Sequence, residues 1–175
     1  MINFETKKVL FIDLDSTLIK TISGKTFPED ITDFRIQLPV VNKIIEKLPN
    51  LNSFYIVTNQ GGVGTYYTKE DIETKLRTIE VFCQRYLDTH YNLTNDEFII
   101  TDYQYCDSMD KTNHRRKPNT GMLEWLVEGY EDLQKSQILM IGDASGKPGD
   151  FSDSDKKCAE NFGIDYIDVR DFLEL

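Results

Sequence analysis

The sequence predicts an α/β fold of three layers, α/β/α, built on a mostly parallel, Rossmann-like sheet, and three features carry that expectation. Four short apolar runs, residues 9–12, 54–57, 98–101 and 138–141, are rich in β-branched and aromatic residues and do not alternate with polar ones. Strands buried on both faces read this way. Stretches of helical periodicity lie between the runs, so the strands are joined by crossovers. Three of the runs end in polar groups: Asp13 and Asp15, Thr58 and Asn59, and Asp143. In a parallel sheet those exits share one edge, where open α/β folds hold their ligands.

The first run leads straight into Asp13-Leu14-Asp15-Ser16-Thr17. Unpaired carboxylates are costly to bury, so Asp13 and Asp15 belong at the strand's exit. Their spacing has a chemical logic. The first carboxylate can attack phosphorus and ligate a cation, and the second can hand a proton to the leaving oxygen. Backbone N–H groups in the turn at Ser16 and Thr17 can hold phosphate oxygens. A strand followed by an Asx-type turn is the plainer alternative, and the pair by itself does not decide between the two.

Residues 20–28 alternate around Ser23-Gly24, which predicts a small hairpin beside the first strand. Ser23-Gly24-Lys25-Thr26 is not the end of a phosphate-binding P-loop, because Ile19 occupies the place of the required first glycine. Pro39 opens a helix whose apolar face is Val41, Ile44, Ile45 and Leu48, and Pro49-Asn50 ends it. After the second strand, Thr58-Asn59-Gln60 precedes Gly61-Gly62-Val63-Gly64. Those glycines do not fit a dinucleotide fingerprint, since Tyr67 stands where its last glycine should be. Thr68 with Asp71 marks a capped helix start, and Ile72, Leu76, Ile79, Cys83 and Tyr86 form that helix's buried face.

Beyond the third strand, residues 103–118 read as a loop. It holds Tyr103, Tyr105, Lys111, His114, Arg115, Arg116 and Lys117, so four of the chain's 20 Lys and Arg fall between positions 111 and 117. A solvated charged loop is the usual explanation. Cations interleaved with aromatics also suit a phosphate backbone with unstacked bases. Thr120, Leu123, Leu126, Val127 and Tyr130 mark another helix, with Trp125 read as packing. The fourth strand ends in Gly142-Asp143. Ser152 or Asp153 can cap a helix carrying Cys158, Ala159 and Phe162, with Gly163 as its stop, and a short strand and a turn follow.

The 175 residues, 39% hydrophobic, fit one globular domain, 1–175. A net charge of -10 argues against coating nucleic acid or anionic membrane through the general surface, so an anionic substrate must meet a local cluster of cations. Three cysteines without C-x-x-C spacing suggest neither a disulfide framework nor a structural zinc site. With no long apolar segment and no leader-like start, the expected location is intracellular, cytoplasmic or nuclear, and not secreted.

Taken together these residues resemble the haloacid dehalogenase superfamily of phosphohydrolases. Asp13-Leu14-Asp15-Ser16-Thr17 is similar to its first motif, Thr58-Asn59 to its second, Lys117 to its third and Gly142-Asp143 to its fourth. The resemblance implies a covalent aspartyl-phosphate on Asp13, with Asp15 as acid and then base, and Thr58 and Lys117 as further catalytic groups. It implies Mg2+ held by Asp13, the backbone carbonyl of Asp15, and Asp143. Between Thr58 and Lys117 a long helix and a strand fill the chain and leave no room for a large cap domain. Within the superfamily the chain resembles the 3'-phosphatase domain of polynucleotide kinase/phosphatase. The matching stretches are residues 21–28, Asp33-Phe34-Arg35-Ile36, Thr58-Asn59-Gln60, Arg116-Lys117-Pro118 with Gly121-Met122, and residues 142–148 leading to Asp150, Phe151, Ser152 and Asp155. Asp155, or Asp150 in its place, would then support the metal.

This implies a nucleic-acid strand end as substrate, DNA ahead of RNA. It would be held by Ser16, Thr17, Asn59, Gln60, Arg115, Arg116 and Lys111, with Tyr66, Tyr67, Tyr103 or Tyr105 for stacking. One departure is that Thr65-Tyr66-Tyr67 stand where the family tends to carry basic residues. The main rival is a small-molecule phosphatase acting on histidinol phosphate or a sugar bisphosphate. Many such relatives carry a Cys/His zinc loop, and here that loop offers Cys106 and His114 alone. A non-catalytic module that binds phosphate ends is a remoter alternative.

Overall fold

A computed structural model describes residues 2–26, 28–91 and 100–175. The elements run β1 (Val9–Ile12), β2 (Ile19–Lys20), β3 (Arg35–Ile36), α1 (Leu38–Lys47), β4 (Ser53–Asn59) and α2 (Lys69–Tyr91). They continue with β5 (Ile100–Cys106), α3 (Gly121–Leu126), β6 (Ile138–Gly142), α4 (Ser154–Phe162), β7 (Asp165–Asp168) and α5 (Val169–Leu173). The main sheet has five parallel strands in the order β5-β4-β1-β6-β7, so the non-alternating apolar strand β1 lies at its centre.

Alternate residues of each strand feed two cores. Leu10, Ile12, Phe54, Ile56, Leu139 and Ile141 pack against α1, α2 and α5. Val9, Phe11, Tyr55, Val57, Ile138 and Met140 pack against α3 and α4 on the other face. This is the three-layer α/β/α arrangement, and among the described residues no large cap rises over the carboxyl edge. The start of α2 is capped reciprocally, Thr68 N donating to Asp71 Oδ2 at 2.8 Å and Asp71 N to Thr68 Oγ1 at 3.1 Å. Gly163 closes α4 at φ 78°.

Three expectations are corrected. The hairpin does not turn at Ser23-Gly24: Ile19 pairs with Ile36 and Lys20 with Arg35, so a longer connection joins β2 to β3. A side chain organises that connection, the Asp33 carboxylate accepting from Ser23 N, Ser23 Oγ and Glu29 N at 2.6–2.9 Å. The third strand continues to Cys106, through residues read as loop, while positions 98 and 99 lie outside the described residues. β5 is an edge strand, so it tolerates outward polar groups such as Asp102 and Gln104 that a central strand would not. The helix marked by residues 120–130 ends at Leu126, leaving Trp125 53% exposed rather than packed.

Candidate active site

The β1–β6 ladder delivers the first two carboxylates. Asp13 N donates to Ile141 O at 2.9 Å, which extends the pairing one residue past β1 and brings Asp13 alongside the exit of β6, where Gly142 leads into Asp143. Asp155 enters from the first turn of α4, its Oδ2 accepting from Ala144 N at 3.1 Å. This approach requires Gly142. A Cβ there would fall 2.3 Å from Asp155 Oδ2 and 2.6 Å from its Cγ.

Lys117, 3% exposed, reaches the same place from the loop after β5. Its ammonium donates to Asp13 Oδ1 at 2.6 Å and Val57 O at 2.8 Å, and pairs with Asp155 Oδ1 at 2.7 Å. Its backbone is clamped by Asn59, whose Nδ2 donates to Lys117 O and whose Oδ1 accepts from Lys117 N, both at 3.0 Å.

Oxygens of Asp13, Asp143 and Asp155 lie within 4.8 Å of one another. Three carboxylates facing one ammonium leave an excess of negative charge, and hard oxygen donors so gathered suit a divalent cation such as Mg2+. Burial, with Asp155 and Asp143 nearby, pushes Asp13 well above the usual carboxylate range, against the opposing effect of Lys117. Burial and Asp155 raise Asp143 to about 6, opposed by Lys117 and by the Thr17 hydroxyl, which donates to Asp143 Oδ1 at 3.4 Å. Burial works against a charge on Lys117, but Asp13 and Asp155 outweigh it and hold the ammonium protonated.

The Asp15 carboxylate lies outside that triad, which leaves its backbone carbonyl for the metal role the resemblance implied. Gln60 Nε2 donates to Asp15 Oδ2 at 2.6 Å, and Lys75 Nζ stands 3.8 Å from Oδ1. Lys75 is 3% exposed, lies 5.2 Å from the centre of the Phe34 ring, and has its pKa lowered by burial against the pull of Asp15 and Asp33. It escaped the sequence reading, yet a signal was present: it falls between Ile72 and Leu76 on the apolar stripe of α2, where a lysine has no place unless a charge awaits it.

Several residues read as substrate contacts are engaged elsewhere. Asn59 holds Lys117, and Gln60, buried, holds Asp15 and Thr58 Oγ1. Tyr67 donates its hydroxyl to Gln60 Oε1 at 2.6 Å and packs against the core, and partly buried Tyr103 does likewise, so neither is a free stacking platform. Tyr105 donates to Glu73 Oε1 at 3.1 Å. Ser16, at φ 65°, Tyr66, 85% exposed, and Lys111 are exposed. Arg115 donates to Gln104 Oε1 at 2.8 Å and Tyr105 O at 2.7 Å, and Arg116 to Ser108 O at 2.6 Å. Asp150 is not part of the metal cluster. It ties Ser145 and Lys147 to Arg170 and so braces the loop after β6.

The chain matches the polynucleotide kinase 3 phosphatase family over residues 8–172. It is 32% identical over 172 residues to the bifunctional polynucleotide phosphatase/kinase of Schizosaccharomyces pombe, covering 97% of this chain and 38% of that protein. The histidine biosynthesis bifunctional protein HisB of Legionella pneumophila is 29% identical over 175 residues, covering 93% of this chain and 41% of the relative. The chain therefore spans less than half the length of either. Among solved structures, the D,D-heptose 1.7-bisphosphate phosphatase from B. bronchiseptica, complexed with magnesium and phosphate, shares the fold. Its TM-score is 0.66 at 14% identity, covering 91% of this chain and 78% of that one.

Proposed function

Because this chain belongs to the polynucleotide kinase 3 phosphatase family and is a phosphatase of the haloacid dehalogenase type, we propose that it removes 3'-phosphate groups from nucleic-acid strand ends, DNA ahead of RNA. The observation that carries the nucleic-acid part is the family match from residue 8 to residue 172, nearly the whole chain. The open edge agrees with it, since a site without a large cap excludes water poorly unless the substrate itself closes it.

In this reading an Asp13 carboxylate oxygen attacks phosphorus, and the bond from phosphorus to the strand's 3' oxygen breaks. Asp15 gives that leaving oxygen its proton. Water then attacks the aspartyl-phosphate and passes a proton to Asp15, and breakage of the bond to Asp13 releases phosphate, restoring the Asp13 carboxylate and the protonated Asp15. Lys117, fixed by Asn59, offsets the charge that gathers on the phosphoryl oxygens. Asp13, Asp143 and the Asp15 backbone carbonyl would hold Mg2+, with Asp155 in support, and the ion would supply further positive charge to offset that on the phosphoryl oxygens. Ser16, Lys111 and Tyr66 are the open groups left to meet the strand, and Arg115, exposed but bonded to Gln104 and Tyr105, would join them by exchanging those bonds for phosphate.

The test is phosphate release from a matched panel of 3'-phosphorylated DNA, 3'-phosphorylated RNA, 5'-phosphorylated DNA, histidinol phosphate and a sugar bisphosphate. Preference for the 3'-phosphorylated DNA is the expected result. Preference for either small molecule would overturn the nucleic-acid assignment and leave a small-molecule phosphatase related to HisB.

A further inference from the structure

The glycine turn after β4 is neither a dinucleotide fingerprint nor part of the cation cluster, and its geometry gives it another purpose. Gln60 is anchored through its backbone, donating from N to Cys106 O at 2.7 Å, and the turn then folds back on itself. Val63 N donates to Gln60 O, Tyr66 N to Gly62 O, and Gly64 N, from a residue at φ 82°, to Tyr67 O at 2.8 Å. The outcome is that Tyr67 returns over Gly62, where a Cβ would lie 3.0–3.2 Å from the ring and hydroxyl. Its hydroxyl meets the far end of the Gln60 amide.

A side-chain amide has a donating end and an accepting end, so the end that faces Asp15 decides between attraction and repulsion. With Oε1 satisfied by the Tyr67 hydroxyl, Nε2 is left to donate to Asp15 Oδ2 at 2.6 Å and to Thr58 Oγ1 at 2.8 Å. A flipped amide would offer its oxygen instead, which would tie up the proton meant for the leaving oxygen while Asp15 is protonated and repel the carboxylate once that proton has gone.

We infer that Tyr67 is a positioning residue, whose hydroxyl orients the Gln60 amide so that it holds Asp15 in place to serve the leaving oxygen, and that the glycine turn exists to return Tyr67 to that amide. The inference rests on the role proposed above for Asp15. It also gives a use for Tyr67, one of the residues standing where the resembled family tends to carry basic ones.

The test compares single-turnover phosphoryl transfer to the enzyme from an alkyl phosphate, whose leaving oxygen needs a proton, and from p-nitrophenyl phosphate, whose leaving group does not. Y67F removes one oxygen and keeps the ring. It is expected to slow transfer from the alkyl phosphate about tenfold or more, because a slightly misplaced catalytic group loses much of its effect, and to change transfer from p-nitrophenyl phosphate less than about twofold. G62A, which crowds the ring, is expected to act in the same direction, and the double variant to be no slower than Y67F. Equal losses on both substrates, no loss on either, or additive losses in the double variant would overturn the inference while leaving the phosphatase reading intact. Absence of any phosphoryl-enzyme in the unaltered protein would instead defeat the Asp13 mechanism.

Discussion

Lys117 and Asp13, 104 positions apart in the chain, are joined by a buried ion pair with Nζ 2.6 Å from Oδ1. Lys117 is also the one cation touching Asp155 among the described residues. Lys117→Met would leave Asp13, Asp143 and Asp155 gathered without their neutralising ammonium. Removing one member of a buried pair costs about 3–5 kcal/mol, and losing this charge in the transition state about a hundredfold or more in rate. Denaturant unfolding and kcat should show both losses, with added Mg2+ recovering part of the stability.

Asp13→Asn keeps the volume of the side chain and removes the attacking charge. Turnover should fall to background while cooperative unfolding persists, and acid-quenched samples should carry no bound phosphoryl group. Retained turnover in a folded variant would sink the covalent mechanism.

Gly142→Ala places a methyl group 2.3 Å from Asp155 Oδ2. Asp155 must withdraw from Ala144 N and from Lys117, at a cost of about 1–3 kcal/mol for the overpacking. Thermal unfolding should fall accordingly, and Mg2+ titration should show weaker binding. An unchanged Mg2+ affinity would remove Asp155 from the support of the cation site.

Asp143, raised from 3.8 to about 6, sets a pH window. A carboxyl group whose folded-state pKa is raised contributes stability that is fully present below its unfolded value and lost as pH rises through about 6. Above that window the cation-free protein holds an ionised Asp143 beside Asp155, the state that a cation relieves. The increase in unfolding temperature caused by Mg2+ should therefore be small at pH 5 and larger at pH 7.5. An equal increase at both would contradict this titration.

Arg115→Ala should lower kcat/KM on a 3'-phosphorylated oligonucleotide and leave p-nitrophenyl phosphate nearly unaffected. Few phosphates would be met, so oligonucleotide use should fall with salt along a shallow slope, and the variant's slope should be shallower by about one unit. Equal effects on both substrates would assign Arg115 to bracing β5 through its bonds to Gln104 and Tyr105.

Much of this protein is legible in the sequence because strand exits and helix faces are local properties. The apolar run Val9–Ile12 ending in Asp13 implied a central parallel strand opening on a charged edge, and Ile72, Leu76, Ile79 and Cys83 implied the buried face of α2. The missed length of β5 marks the limit of that reading, because an edge position, set by the order of strands, admits polar residues such as Asp102 and Gln104 that a buried strand would not show. What tertiary structure alone decided is which polar groups meet. Asn59, Gln60 and Tyr67 stand together in sequence as candidate substrate contacts. Their partners are chosen by the loops that cross the sheet edge, which set Asn59 on Lys117, Gln60 on Asp15 and Tyr67 on Gln60. A hydrogen bond acts over about 3 Å, so its partner depends on how distant segments pack, and no residue pattern along the chain encodes that distance.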